Sequence, residues 1–296
     1  MMRLLISSWL GCWLWVSMLG QAAAAEPQTV RLWDGDAPGA TGQAENDIPT
    51  AIVYLPENSS AACGALVILP GGGYGHLAAD HEGHQIARWA NQMGMAGVIV
   101  MYRHRGRGYG HPAPMLDAQR AIRLTRQRAS QWNIDPQKVG VLGFSAGGHL
   151  ATTLLTHFDD GRPDAADAVD RLGCRPDFGV VCYAVVALGE PFTHRGSQKN
   201  LLGDQATPEQ IRELSNEKQV TGQTPPCFVW HTAEDAAVPV QNSLVFYEAL
   251  VKAGVPAELH VFPHGRHGIG LGASVPGADQ WPTLCHHWLQ RLQMAP

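Results

Sequence analysis

Short apolar runs alternate along the chain with longer stretches in which apolar residues recur every three or four positions. "TVRLW" and "TAIVYLP" read as opening strands, and "ALVILP" as a strand buried on both faces, because it lacks polar alternation. In "HEGHQIARWANQMG", Ile86, Trp89, Ala90 and Met93 fall at helical spacing, with Gly94 as the stop. "AGVIVMY" is the next buried strand. Met115, Ala118, Ile122, Thr125, Ala129 and Trp132 predict one amphipathic helix, entered through the prolines of "HPAP". "KVGVLG" then predicts a strand, "AGGHLATTLLTHF" a helix, and "FGVVCYAVV" and "PCFVWHT" two strands. "VPVQNSLVFYEALVKAG" predicts a helix with Pro239 in its first turn and Gly254 past its end. Strand "AELHVF" and helix "WPTLCHHWLQRL" close the chain. This alternation implies βαβ units: an α/β fold with a mostly parallel central sheet of about eight strands and helices on both faces. From about Leu188 to Pro226 the pattern breaks into polar sequence with one short helical stretch, "TPEQIRELSN", which reads as a cap segment over a site.

The 296 residues suit one larger α/β domain, and 45% hydrophobic against 16% charged residues allows a substantial core. Residues 1–25 carry one cation, Arg3, an apolar stretch from Leu4 to Leu19 and alanines offering an A-x-A site. They read as a cleaved secretory signal, with 26–296 as a single domain. The apolar length barely permits an uncleaved anchor, and a lipoprotein signal at Cys12 would put Trp9 at a usually aliphatic position. The expectation is a secreted or periplasmic protein with no membrane association after cleavage. Loss of Arg3 takes the formal net charge from −5 to −6, so no global positive field exists to attract nucleic acid. Cys12 leaves with the signal. The remaining Cys63, Cys174, Cys182, Cys227 and Cys285 cannot all pair within one chain, and Cys182 and Cys227 lie in apolar runs suited to buried thiols.

"VGVLGFSAGGHLA" sets Ser145 between two glycines at the junction of a strand and a helix. A serine hydroxyl is a weak nucleophile; it needs exposure at a sharp turn, a base within reach and donors for the oxyanion it creates. Gly143 and Gly147 permit such a turn, the G-x-S-x-G elbow. The glycines of "VILPGGGYG" leave backbone N–H groups uncovered, so Gly72 and Gly73, with the Ala146 N–H, are the candidate oxyanion donors. A phosphate loop would need a glycine spacing that does not occur there. Past later strands, "VWHTAEDAAVP" presents Glu234 and Asp235, and "VFPHGRHGIGL" presents His264 and His267, an acid and a base in the chain order of strand-end triads.

Through "PGGGYG", "DHEGH", "YGHPAP", "DAQRAIR", "GFSAGGHLA", "KNLLGD", "SNEKQVT", "PAELHVF" and "HGRHG", the sequence resembles the α/β-hydrolase superfamily, and within it secreted bacterial esterases of the acetylxylan-esterase-like group. The resemblance runs from about Leu32 to the C-terminal helix. It implies Ser145 as nucleophile, Asp235 as acid and His267 as base, and an esterase that removes small acyl groups from plant polysaccharides or oligosaccharides without a cofactor. Pro70 replaces the histidine that related lipases carry in "HGGG".

"DHEGH" lacks the H-E-x-x-H spacing of a zinc helix; Asp80 as a helix N-cap explains it more simply than a metal. "RHRGRGYGH" reads as a solvated loop without a nearby acid, or as a place where an arginine such as Arg105 meets acidic sugars. Tyr74, Tyr109 and His194 read as sugar platforms or as ordinary loop aromatics. Alternatives to the acetylesterase are a general short-chain carboxylesterase, or a serine peptidase of the prolyl-oligopeptidase kind, whose propeller this length cannot hold. A non-catalytic binding protein would have lost a triad member, and none is lost.

Overall fold

The computed structural model describes residues 26–57 and 61–296. Strands β1 (Gln28–Arg31), β2 (Thr50–Tyr54), β3 (Cys63–Leu69), β4 (Ala96–Met101), β5 (Ile134–Phe144), β6 (Gly179–Cys182), β7 (Cys227–Thr232) and β8 (Ala257–Phe262) form one sheet, in the order β1-β2-β4-β3-β5-β6-β7-β8. β2 runs antiparallel to both β1 and β4; all other pairs are parallel. Every residue of β3, β6 and β7 is buried, which is why these strands are apolar without alternation. The edge strand β1 is largely exposed.

Helices α1 (Gln85–Gln92), α2 (Ala113–Gln127), α3 (Ala129–Trp132), α4 (Ser145–Thr156), α5 (Arg195–Leu202), α6 (Pro208–Glu213), α7 (Gln241–Lys252) and α8 (Trp281–Arg291) connect or follow the strands. One core joins the sheet to α2, α4 and α7 through Ile122, Leu150, Leu154 and Phe246. The other packs α1 and α8 on the opposite face through Ile86, Trp89, Trp281 and Trp288. There Trp230 of β7 stacks on Trp281, centroids 5.0 Å apart; truncating such a buried tryptophan costs about 3–5 kcal/mol. After β3 the chain passes to β4 on one side and then to β5 on the other. The carboxyl ends of β3 and β5 therefore flank a crevice where strand order reverses.

Local details differ from the pattern reading. The single helix expected through Trp132 breaks at Arg128 into α2 and α3. β6 stops at Cys182 because Tyr183 adopts a left-handed backbone (φ 33°) and the Val185 N–H turns to the Ser145 carbonyl. Pro239 precedes α7 rather than entering it. The segment 188–226 holds α5 as well as α6, and it is anchored: Leu201 and Leu214 are buried in the core, and Asn216 donates to the His149 carbonyl at 3.0 Å. All five described cysteines are free and buried. Among the described residues no helix is long and apolar enough to cross a membrane, and the expected signal, residues 1–25, lies outside the described residues.

Candidate active site

Ser145 is the first residue of α4, directly after β5, and its φ of 55° lies in the left-handed region that non-glycine residues avoid. The flanking glycines make the turn possible. A Cβ on Gly143 would stand 2.2 Å from the Gly147 carbonyl oxygen, and one on Gly147 would stand 2.1 Å from that of Leu69, so only hydrogen fits at either place. The helix thus sits hard against the strand ends and the serine side chain projects from the bend.

Asp235 follows β7 and His267 follows β8, and the sheet brings both to Ser145. The Asp235 carboxylate is fully buried, with Oδ2 2.6 Å from His267 Nδ1. That contact keeps the proton on Nδ1, so Nε2 accepts the Ser145 hydroxyl at 2.7 Å. Oδ1 of Asp235 accepts the N–H groups of Ala237 and Val238, each at 2.9 Å. Burial raises the Asp235 carboxyl, but hydrogen bonds from His231, His267 and the Val238 N–H outweigh it and hold the group well below the usual carboxylate range. His231 is a further partner, unmarked in the sequence because it lies inside the apolar run of β7. Buried in β7, it lies 3.4 Å from Asp235 Oδ2 through Nε2, which also donates to the Val238 carbonyl at 2.9 Å.

The serine opens on a cleft of about 420 Å³ whose lining includes Gly72, Gly73, His76, His81, His194 and Arg266. Gly72 (φ 125°) and Gly73 (φ 63°) curl the loop after β3, and neither N–H meets an acceptor among the described residues. Asn200 of α5 fixes this loop by donating to the Gly73 carbonyl at 2.9 Å. Ala146 follows Ser145 in the first turn of α4. His194 borders the cleft at the N-cap of α5, where its Nδ1 accepts the Ser197 N–H at 3.2 Å. Burial, then the neighbouring His267, push its imidazole down from the ordinary histidine value, with Asp235 opposing.

The structure does not bring the other expected contacts to the cleft. Tyr74 is 1% exposed, its hydroxyl on His149 Nδ1 at 2.9 Å. Tyr109 is buried with its hydroxyl on Asp47. Neither ring can serve as a platform. Arg105 is exposed but its Nε donates to the Asn200 carbonyl at 3.0 Å, outside the cleft lining. Nor does "RHRGRGYGH" lack an acid: Arg103 is fully buried and paired with Asp117 at 2.7 Å. Within "DHEGH", Asp80 is not an N-cap; it accepts from Gln85, Glu82 turns inward, and His84 meets Tyr54 at 2.8 Å. These side chains diverge, and among the described residues no group of three histidines, cysteines or carboxylates is placed to hold a metal ion.

The BD-FAE family model matches residues 52–250, more than half of the chain. The chain belongs to the BD-FAE family. A solved structure of an acetyl ester-xyloside bifunctional hydrolase from Caldicellulosiruptor lactoaceticus is 43% identical, with a TM-score of 0.87, and the match covers 93% of this chain and 99% of that one. The fold is therefore the α/β-hydrolase fold. An acetylxylan esterase from Xylanibacter ruminicola is 33% identical over 94% of this chain and 53% of the relative. Endo-1,4-beta-xylanase B from Butyrivibrio fibrisolvens is 38% identical over 75% of this chain and 35% of the relative. This BD-FAE member thus spans about half or less of the length of these two curated relatives.

Proposed function

We propose that this protein is a serine esterase that removes acetyl and other small acyl groups from plant polysaccharides or their oligosaccharides. The observation that carries the reading is the continuous hydrogen-bonded chain from Ser145 through His267 to a buried Asp235, opening on a polar cleft. Ser145 attacks the ester carbonyl while His267 Nε2 takes its proton, and Asp235 stabilises the imidazolium that forms. The N–H groups of Gly72, Gly73 and Ala146 receive the oxyanion. His267 then gives that proton to the departing sugar oxygen, which leaves as the free hydroxyl, and a water activated by the same imidazole releases the acid from the acyl-enzyme. No step calls on a cofactor.

The carbohydrate substrate is supported by the acetylxylan esterase and the acetyl ester-xyloside hydrolase among its relatives. It is also supported by a cleft lined with histidines and an arginine, suited to polyhydroxylated alcohols. Export to the periplasm or beyond, where such polymers occur, rests on the pattern of residues 1–25. Glycoside hydrolysis is not part of this proposal. It commonly uses two carboxylates flanking the bond, and the cleft lining holds one, Glu82, with both oxygens engaged.

The test is to incubate the purified protein with acetylated xylo-oligosaccharides and measure acetate. Release by the wild type and none by Ser145→Ala supports the reading. No release, or equal release by both, sinks it.

A further inference from the structure

Glu82 borders the cleft yet turns its carboxylate inward, and its side chain is 3% exposed. Oε2 accepts the Gly71 N–H at 2.8 Å, and Oε1 accepts the Tyr183 hydroxyl at 2.7 Å. The Tyr183 oxygen in turn accepts the Gly270 N–H at 2.9 Å. The same ring meets the His267 imidazole edge-on, centroids 5.1 Å apart. One carboxylate is thereby joined to the residue just before Gly72 and Gly73 and, through one phenol, to the loop that carries His267.

Features of the backbone on each side serve this link. A Cβ on Gly71 would stand 2.6 Å from Glu82 Oε2 and 2.9 Å from Ser145 Cβ, so the glycine admits both the carboxylate and the serine. Tyr183 leaves the sheet in a left-handed conformation directly after β6. Glu82 itself sits in a π-helical turn, Asp80–His84, ahead of α1; such turns recur at functional sites. A buried carboxylate without donors would be strongly disfavoured, and here each oxygen has a donor belonging to a different part of the site.

We propose that Glu82 is a positioning residue: with Tyr183 it holds the glycine loop and the His267 loop in register, so that oxyanion donors and base meet the same ester carbonyl at Ser145. The inference rests on the serine-esterase reading. Tightening both loops at once is a demand of the transition state, so loss of the link lowers kcat and leaves KM nearly unchanged.

Glu82→Gln keeps the volume but turns one acceptor into a donor, while Tyr183→Phe removes the phenol oxygen and leaves the Gly71 bond. Hydrolysis of 4-nitrophenyl acetate by wild type and Ser145→Ala first decides the esterase reading by itself. Each link variant should then lose roughly ten- to hundredfold in kcat with KM within about twofold, and the double variant should lose little more than the worse single one. Hydrogen–deuterium exchange supplies a readout independent of turnover. In Glu82→Gln the Gly270 amide should exchange faster, and in Tyr183→Phe the hydrogen-bonded amides of Gly71, Gly75 and His76, each in the loop remote from the change. Full kcat in the folded variants, additive losses, or unaltered exchange at the remote loops overturns the inference. If the wild type hydrolyses nothing, exchange alone decides it; if Glu82→Gln does not fold, Tyr183→Phe carries the same test.

Discussion

Asp235 and Glu234 are neighbours on one loop, yet they point to different histidines. Asp235 is buried against His267 at 2.6 Å, whereas Glu234 meets the exposed His264 at 2.7 Å. A solvent-exposed pair contributes little, while the buried carboxylate sets the tautomer of the base. Asp235→Asn should therefore lower kcat by about 10⁴-fold, and Glu234→Gln should stay within about threefold of wild type. Steady-state kinetics on a chromogenic acetate checks both; the reverse ranking would move the acid by one position.

The left-handed backbone at Ser145 makes a separate prediction about stability. Both Ser145→Ala and Ser145→Gly should lose about 10⁴-fold or more in kcat, since each removes the hydroxyl. The glycine variant alone relieves the positive φ, a strain of about 1 kcal/mol or more. It should unfold at higher urea than the alanine variant, and equal midpoints would mean that no strain is held at the bend.

What the sequence revealed and what it hid divide by range. The central strands were legible because each is a local apolar run, and Ser145, Asp235 and His267 stand where those runs end. Tyr74 and Tyr109 looked like loop aromatics because their partners His149 and Asp47 are 75 and 62 positions away. Glu82 and Tyr183 are separated by 101 positions, and Asn200 and Gly73 by 127, so no local pattern could announce either contact. Helix α5 escaped notice because "HRGSQKNLLGD" offers only two adjacent leucines, of which Leu201 reaches the core.

Acid should weaken the fold through His149. This residue is buried in α4, with Nε2 donating to the Leu214 carbonyl at 2.8 Å. Burial pushes its imidazole down to about 4, opposed by the Leu214 carbonyl and reinforced by His157 and His111. The unfolded chain takes up this proton near pH 6.5 and the folded chain only near its lowered value, so stability is fully present above about 6.5 and falls as pH drops toward 4. The slope approaches about 1.4 kcal/mol per pH unit for each such histidine. His104, lowered to about 4 by burial and then by Arg107 and His76, acts in the same sense. Urea midpoints at about pH 7.5 and about pH 5 should differ less for His149→Gln than for wild type. Equal differences would remove His149 from the account.

Acyl-chain length is the sharpest test of the cleft. Among the described residues that line it, Ala78 carries the sole aliphatic side chain; the rest are glycines, histidines, Ser145, Glu82 and Arg266. Each methylene buried from water against an apolar wall is worth about 0.8 kcal/mol, and this cleft has almost no such wall to offer. Lengthening the acyl group therefore adds no binding, while it crowds the polar groups that a sugar would engage. Across acetyl, butyryl and octanoyl esters of one chromogenic alcohol, kcat/KM should fall steadily, by about tenfold or more between the ends, where an apolar groove would reverse the order. Octanoyl turnover equal to or above acetyl would mean that the acyl chain binds elsewhere and would favour a lipid esterase over a carbohydrate deacetylase.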